Sequence, residues 1–262
     1  MSQIIRIPIV HADSWLIVVD KPAGVLSVPG RGTGSTVMQL IAAGRFTMPK
    51  TTGAANDDPA AALRSEAANG VLRIVHRLDR FASGVMCMAR TEEAQRQLTE
   101  LWSSRQVEKT YLALVNGRVT KDGQVDAPLF VDREHSEVRV DAKNGVPALT
   151  HYRVLENFRG YSLLECQPVT GRMHQIRVHM TSIGHPLIVD SLYGGAPALM
   201  LSAFKTDYRP GKGKEQPLIG RLTLHALRLS FAHPADQRAV TFEAPIPKDF
   251  RATTNQLRRA SG

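Results

Sequence analysis

The chain is poor in the features that define several classes of protein. Its 262 residues include only two cysteines, Cys87 and Cys166, each inside an apolar run and without Cys-x-x-Cys or zinc-ligand spacing. Isolated thiols in a chain of this length indicate a reducing compartment and exclude a disulfide scaffold. No apolar run approaches the roughly 20 residues that span a bilayer, and the N-terminus lacks the regions of a signal peptide. We therefore expect a cytoplasmic protein that does not enter a membrane.

Signatures of metal and nucleotide binding are also missing. The glycine-rich residues 30–35 and 211–214 fit neither the dinucleotide nor the P-loop spacing, and we interpret both as flexible basic loops. His174 and His179 lie five positions apart, about 140° around a helix, so they do not face one metal ion. The sequence therefore predicts neither a metal nor a cofactor.

The composition is that of an ordinary globular protein with a basic surface. Hydrophobic residues make up 43% and charged residues 22% of the chain, and 33 Lys and Arg against 24 Asp and Glu give a net charge of +9. Such a charge favours a polyanionic partner, above all nucleic acid, because basic side chains neutralise phosphates and release counterions. Solubility alone is the alternative explanation.

The pattern of apolar residues predicts more strands than helices. A helix opens at Val37, a second follows the capping residue Thr91, and an amphipathic helix runs from Met173 to a C-cap at Gly184. Strands are predicted at 4–10, 15–20, 71–75, 85–89, 109–115, 150–156, 161–169, 221–231 and 239–244. Because strands and helices do not alternate, the class is α+β with a mostly antiparallel mixed sheet and flanking helices. With no repeat or linker, residues 1–262 form one domain, with mobile insertions at 44–70 and 205–217.

The most informative segment runs from His76 to Gly84, with the sequence His-Arg-Leu-Asp-Arg-Phe-Ala-Ser-Gly. Asp79 lies between Arg77 and Arg80, and a nearby positive charge favours the ionised form of a carboxyl group. An ionised carboxylate is what a nucleophilic or basic aspartate requires. A surface ion pair of purely structural role is the alternative.

Four further segments change that balance. They are Lys21-Pro22-Ala23-Gly24, Lys109-Thr110-Tyr111, Gly171-Arg172-Met173-His174-Gln175-Ile176-Arg177-Val178-His179, and the stretch from Gly184-His185-Pro186 to Asp190. With the segment around Asp79, and in this order, they resemble the KPxG, HRLDxxTSG, KxY, GRxHQIRxH and GHPxxGD segments of the RluA-type pseudouridine synthases. The resemblance covers residues 10 to 247, nearly the whole chain.

The resemblance implies a fold, a reaction and a set of catalytic residues. The fold is the pseudouridine synthase fold, with a central cleft, and the reaction moves ribose C1′ from uracil N1 to uracil C5 without metal, redox cofactor or nucleotide. By resemblance Asp79 is the essential carboxylate, which either attacks C1′ or removes a sugar proton. Arg177 is the cation that pairs with it. Tyr111 stacks on the uracil and could assist proton removal from C5.

The resemblance also implies RNA as the partner, either ribosomal RNA, transfer RNA or both. Arg77 resembles an arginine that enters the RNA stack when the uridine is extruded, and His76 lies beside Asp79. Lys21, Arg172 and His174 are candidates for phosphate contacts or for bracing the catalytic loop. We further expect a monomer with a single catalytic domain and without the small N-terminal RNA-binding domain that some relatives carry.

Two departures from the family pattern and several alternatives remain. Ala82 replaces the usual Thr of the turn, removing a hydroxyl that could brace the loop, and Val189 replaces the usual Gly before Asp190. The site residues also have plainer readings: Tyr111 as ordinary core and Arg177 as a helix-surface arginine. The alternative functions are a catalytically silent RNA-binding protein on the same scaffold and a metal-dependent hydrolase, which a chelator would inhibit.

Overall fold

The computed structural model describes residues 5–30, 33–49, 58–132, 134, 137–205, 208–209 and 213–261. The chain divides into two compact units, one made of Met1–Glu108 and Ala226–Pro245 and the other of Lys109–His225 and Ile246–Gly262. Each unit therefore combines segments that are distant in sequence. A single domain stays a prediction.

The described residues form short strands and a few helices. In chain order the strands are β1 (Ile7–Ala12), β2 (Leu16–Lys21), β3 (Phe46–Thr47), β4 (Arg73–Ile74), β5 (Ser83–Ala89), β6 (Glu108–Asn116), β7 (Gly123–Asp126), β8 (Leu129–Asp132), β9 (Glu137–Val140), β10 (Leu149–Phe158), β11 (Tyr161–Pro168), β12 (Leu224–Ala232) and β13 (Ala239–Glu243). The α-helices are α1 (Val37–Ala42), α2 (Pro59–Ala68), α3 (Glu92–Ser103), α4 (Gln175–Ser182) and α5 (Lys248–Ser261), and a 3₁₀ turn spans Leu201–Ala203.

The first unit is built on a mixed sheet with the strand order β3-β1-β2-β5-β12, to which β13 adds beside β12 and β4 beside β5. The pairs β1–β2, β2–β5, β4–β5 and β12–β13 are antiparallel, and β1 pairs with β3 in parallel. All seven residues of β5 are buried, which fits its position between two other strands. This strand is the rigid element into which the Asp79 loop leads.

Asp13 fixes the turn between β1 and β2. Its carboxylate accepts the main-chain N–H groups of Trp15 and Leu16 at 2.7 and 2.9 Å, and it lies 2.7 Å from His11 Nε2 and 3.0 Å from His233 Nε2. Burial by itself would raise the pKa of Asp13, but these hydrogen bonds favour the charged form and lower it to about 2. The ionised carboxylate therefore stabilises the native turn.

Helix starts in this unit follow their capping residues. Thr36 and Gln39 form a reciprocal capping box at α1, and Thr91 caps α3, whose first turn carries two glutamates. Both predicted helices are confirmed. Regular elements lie within 44–70, which composition predicts to be a mobile insertion: β3 and α2 form there, with Asp58 capping α2 and Pro59 at its first position. Residues 50–57 and parts of 205–217 lie outside the described residues, so the mobility of both segments stays a prediction.

The second unit has an antiparallel sheet with the order β6-β11-β10-β7 and a separate hairpin of β8 and β9. Asn116-Gly117, a sequence typical of hairpin turns, does not join two paired strands here. Gly117 does adopt a left-handed φ of +82°, but β6 pairs with β11 and not with the strand that follows it. Strands β7 to β9 and helix α5 are additional to the predicted elements.

Helix α4 begins two residues later than predicted, at Gln175, and ends as predicted before Gly184, which has a φ of +83°. Val178 on this helix packs in a small core with Leu129 and Val138 of the β8–β9 hairpin. The class is α+β, as predicted. No helix in the described part of the chain is long and apolar enough to cross a membrane.

Candidate active site

Asp79 lies in an irregular loop whose backbone is fixed on both sides of the aspartate. Ser27 Oγ accepts the N–H of Leu78 at 3.0 Å and donates to the carbonyl of the same residue at 2.9 Å. On the other side, the carbonyl of Arg80 accepts a hydrogen bond from Lys21 Nζ at 3.1 Å. Because both neighbours are fixed, the half-buried Asp79 is held on a rigid backbone.

Lys21 braces this loop from inside the first unit. Its side chain is fully buried, and its ammonium donates to the carbonyls of Pro22, Val25 and Arg80 at 3.1, 2.8 and 3.1 Å. Such a side chain exposes no surface with which to contact an RNA phosphate. Of the two roles considered for Lys21, the phosphate contact is therefore corrected and loop bracing fits the contacts.

Arg80 ties the loop to the segment after β2. Its guanidinium donates to the carbonyl of Gly24 at 3.3 Å and to that of Thr33 at 2.7 Å, and the N–H of Gly24 donates back to the Arg80 carbonyl at 2.8 Å. The guanidinium carbon also lies 5.1 Å from the centroid of the Phe81 ring. The guanidinium of Arg80 thus contacts main-chain carbonyls and an aromatic ring. The side chain of Arg77, in the same loop, is exposed to solvent.

His76 anchors the start of the loop to the sheet. Its Nε2 accepts the N–H of Cys87 in β5 at 2.9 Å, and its ring stacks on Trp102 of α3 with centroids 4.7 Å apart. These contacts give His76 a structural role, and a contact between His76 and RNA stays a prediction.

The loop ends in residues that allow a close approach of strands. Gly84 has a φ of +120°, and a Cβ there would lie 2.1 Å from the carbonyl oxygen of Ala226 in β12. Only glycine fits this position. Ala82 is buried, and its N–H donates to the carbonyl of Asp79 at 3.2 Å. The main chain closes the turn, and Ser27 and Lys21 brace it without the hydroxyl that Ala82 lacks.

Tyr111 lies in the second unit on β6, opposite Cys166 of β11, and is half-buried. Lys109, two positions earlier, directs Nζ to the carbonyl of Val169 at 3.5 Å. The stacking of Tyr111 on uracil stays a prediction.

Arg177 lies on α4 and forms a buried bidentate pair with Asp190. Its Nε lies 2.7 Å from Asp190 Oδ2 and its Nη2 lies 2.8 Å from Oδ1. The side chains are 10% and 2% exposed, so the alternative of a helix-surface arginine is wrong. Asp190 Oδ1 also accepts the N–H of Leu192 at 3.2 Å. The guanidinium is therefore fixed in its plane by a carboxylate that is itself held by a turn.

An aromatic ring fixes the guanidinium from one face. Arg177 lies over the ring of Tyr193 at 4.8 Å from the centroid. The Tyr193 hydroxyl accepts the N–H of Val138 at 2.9 Å and lies 2.8 Å from His174 Nδ1. His174 adopts a left-handed φ of +53° at the N-cap of α4. This residue thus braces the start of the Arg177 helix through Tyr193, and its contact with RNA phosphate stays a prediction.

Val189, the second departure, is buried, and its main-chain N–H lies 3.3 Å from Thr223 Oγ1. Its φ is not left-handed, so valine fits without strain.

His179 is satisfied inside the protein. Its Nδ1 lies 2.9 Å from Thr150 Oγ1 and its Nε2 lies 3.0 Å from the carbonyl of Ala127. Burial lowers the pKa of His179, which keeps the ring neutral. In the described ranges of the chain, no three His, Cys, Asp or Glu side chains cluster in a way that could hold a metal ion.

The structure groups the predicted residues by unit. Lys21 and the loop that contains His76, Arg77 and Asp79 lie in the first unit, where Lys21 and Ser27 brace that loop. Arg172, His174 and Arg177 lie at the start of α4 in the second unit. Arg172 is exposed, with Nε 3.2 Å from the carbonyl of Pro147. The pairing of Arg177 with Asp79 stays a prediction.

Three supporting residues were missed: Ser27, Asp190 as the partner of Arg177, and Tyr193. For Asp190 the motif position after Gly184-His185-Pro186 was a usable signal. The sequence gives no such signal for Ser27 or Tyr193, because their partners are distant in sequence.

Comparison with known proteins decides the family. A family model described as RNA pseudouridylate synthase matches residues 15–182. The chain belongs to the RNA pseudouridylate synthase family. This match includes Asp79, Tyr111 and Arg177. The resemblance on which the predicted family and reaction depend is thereby confirmed, and the chain is an RNA pseudouridine synthase, an isomerase.

Curated relatives and solved structures of RNA pseudouridylate synthases agree with this assignment. The chain is 37% identical over 259 residues to ribosomal large subunit pseudouridine synthase D of Nitrosomonas europaea, covering 98% of this chain and 67% of the relative. It is 38% identical to the protein of that name from Xanthomonas campestris pv. campestris, covering 99% and 72%. The structure of human RNA pseudouridylate synthase domain containing 4 superposes with a TM-score of 0.66 at 23% identity, covering 96% and 93% of the two chains. The predicted pseudouridine synthase fold is confirmed.

Proposed function

We propose that this enzyme converts specific uridines of large-subunit ribosomal RNA to pseudouridine, with Asp79 as the essential carboxylate. The observation that supports this choice of substrate is the name of the relatives, ribosomal large subunit pseudouridine synthase D. Their matches extend over 98% and 99% of this chain. This narrows the substrate expected from the sequence, ribosomal RNA, transfer RNA or both, to the first of these. The net charge of +9 suits such a polyanionic substrate.

Asp79 is assigned the chemistry at ribose C1′. The bond from C1′ to N1 breaks and a bond from C1′ to C5 forms, and the carboxylate either attacks C1′ or removes a sugar proton. Both routes need an ionised aspartate held at a fixed point while the target base is unpaired and away from bulk water. The support is the loop brace: Ser27 fixes the residue before Asp79, and Lys21 fixes the residue after it.

Arg177 and Tyr111 are assigned to the same uridine. A guanidinium near Asp79 favours its charged form, and the bidentate contact with Asp190 supports this role because it fixes the direction of the cation. Tyr111 stacks on the uracil and takes part in proton removal from C5. A phenol with a pKa of about 10 is a weak base at neutral pH, so stacking is the larger contribution. Arg77, exposed beside Asp79, is assigned to the gap left by the extruded uridine.

The test is to map pseudouridines in ribosomal RNA from cells that lack this protein. We expect one or more large-subunit positions to remain uridine, to be restored by the wild-type gene and not by Asp79→Asn. Restoration by Asp79→Asn would contradict the role of Asp79. Full modification without the protein, with RNA binding intact, would favour the catalytically silent RNA-binding protein instead.

Two further properties belong to this proposal. The enzyme works as a monomer in the cytoplasm, which size-exclusion chromatography with light scattering and cell fractionation test directly. A chelator leaves its turnover unchanged, whereas a metal-dependent hydrolase would lose activity on addition of EDTA.

A further inference from the structure

Phe81 is the most exposed large apolar side chain among the described residues, at 52%. It lies two positions after Asp79, in the turn that leads into β5. Burying it would contribute to folding, and the fold leaves it in solvent. Single exposed apolar residues are common on protein surfaces, so exposure alone does not make Phe81 a site. Two further features distinguish Phe81: the guanidinium that packs on its ring and its position beside Asp79.

The ring of Phe81 is backed by a fixed cation. The guanidinium of Arg80 lies 5.1 Å from the ring centroid and is held in place by the carbonyls of Gly24 and Thr33. The backbone of Gly34 also packs against it, since a Cβ on that glycine would lie 3.1 Å from Arg80 Nη2. One face of the ring thus rests on a guanidinium that has little freedom to move.

The turn itself is rigid. Lys21 holds the Arg80 carbonyl, and the N–H of Ala82 donates to the carbonyl of Asp79. A phenylalanine has only two side-chain torsions, so ordering this ring further on binding costs little entropy. The result is a preformed flat apolar surface in a basic neighbourhood, with the exposed Arg77 in the same loop.

We infer that Phe81, supported by Arg80, is a stacking platform for an unpaired base next to the target uridine in the RNA. Proteins that read RNA stack unpaired bases on aromatic rings and guanidinium planes. Two residues span at most about 7 Å, so a base on Phe81 belongs to a nucleotide close to the one on which Asp79 acts. Extruding the uridine unstacks its neighbours, and an aromatic surface replaces that lost stacking. The inference rests on the proposed role of Asp79.

The test measures affinity and turnover of Phe81 variants on an unmodified large-subunit ribosomal RNA transcript. We expect Phe81→Ala to raise Kd and KM about five- to 150-fold, the range that alanine substitution gives for one stacked base. Because stacking stabilises ground state and transition state alike, kcat stays unchanged. Phe81→Tyr keeps the ring and stays within about twofold of wild type, and Phe81→Leu, which is apolar without a ring, binds as weakly as alanine. Val71→Ala, at another exposed apolar residue of the same unit, is the matched control and changes neither constant.

A second arm uses a short RNA carrying the mapped uridine, with or without an abasic ribose on its 5′ or 3′ side. Wild type loses affinity for one of the abasic RNAs, and Phe81→Ala loses nothing further on it. Unchanged binding by Phe81→Ala or by Phe81→Leu, or additive losses from the two changes, overturns the inference. Asp79→Asn in the same assay separates the two proposals: full turnover there refutes the proposed function, whereas an inactive Asp79→Asn beside an unchanged Phe81→Ala refutes the platform alone.

Discussion

The buried pair of Arg177 and Asp190 gives the sharpest test of the site's architecture. Each charge is out of water, and each is satisfied by the other through two contacts of 2.7 and 2.8 Å. Replacing Asp190 by Asn keeps the shape and removes the negative charge that lies against the buried guanidinium of Arg177. Replacing Arg177 by Met removes the positive charge that lies against the buried carboxylate of Asp190.

The magnitude follows from burial. With side chains only 10% and 2% exposed, removal of either partner should lower the free energy of unfolding by about 3–5 kcal/mol. Removing both charges, as in Arg177→Met with Asp190→Asn, should cost about 0–2 kcal/mol, because neither of the two buried charges then remains. The two single changes are therefore strongly non-additive.

The assay is denaturant unfolding followed by circular dichroism. Both tryptophans, Trp15 and Trp102, lie in the first unit and the pair lies in the second, so tryptophan fluorescence alone would miss a local loss of structure. The matched control is Arg258 with Glu156, a bidentate pair of the second unit at 2.7 Å whose side chains are 53% and 30% exposed. Glu156→Gln should cost less than about 1 kcal/mol.

Turnover completes the test. Asp190→Asn is expected to lower kcat about 100-fold where the protein stays folded, since a misdirected catalytic group costs that much. The double variant refolds but stays inactive, because the cation is gone. Single substitutions that each cost less than 1 kcal/mol, or that add up in the double variant, would refute the reasoning about burial.

Three other substitutions test the first unit. Lys21→Met removes the donor of three carbonyls and should lower the free energy of unfolding by about 2–4 kcal/mol, with a fall in kcat measured on the folded fraction. Gly84→Ala places a Cβ 2.1 Å from the carbonyl oxygen of Ala226 and should cost more than about 4 kcal/mol, whereas Gly30→Ala, with open space, changes stability by less than about 0.5 kcal/mol. The pKa of Asp13 falls from 3.8 to about 2 on folding, so its charge stabilises the native state above pH 3.8 and this contribution is lost as the pH falls to about 2. Asp13→Asn should therefore cost about 1–2 kcal/mol at pH 6 after allowance for solvent screening, and progressively less below pH 4, in urea unfolding.

The elements that sequence reasoning found are those with local signals. Helix α3 has a capping threonine, acidic residues in its first turn and an apolar face, and α4 has apolar residues three and four positions apart. Helix α5 was missed because half of its buried positions are polar. Phe250, Thr253, Thr254 and Leu257 are buried and follow helical spacing, but the two threonines hide the stripe from a hydrophobicity pattern.

Helix α2 and strands β7 to β9 were missed for a different reason. The helix buries only Leu63 and Ala67, too little for a visible apolar face in an alanine-rich segment. Each of the three strands has four residues, and so short a run carries no readable alternation. Strand β7 pairs with β10, more than 20 residues further along the chain, whereas β8 and β9 pair with each other as a hairpin.

The residues of the candidate site also divide into those with a local sequence signal and those whose role depends on the fold. Asp79 and Arg177 stand in segments of recognisable sequence, so both could be named in advance. The burial of Lys21 and the capture of Leu78 by Ser27 depend on the fold of the β2 turn against the catalytic loop. No property of Lys21 itself distinguishes a buried lysine from one that contacts phosphate, which is why the sequence left both of its roles open.

The central claim is that Asp79 performs the isomerisation, and a single-turnover assay on purified protein tests it most directly. Wild type and Asp79→Asn are mixed in excess with the ribosomal RNA transcript, and pseudouridine formation is measured at the mapped position. We expect no product from Asp79→Asn, together with a Kd for the RNA close to that of wild type. Pseudouridine formed by Asp79→Asn at the wild-type rate would contradict the account.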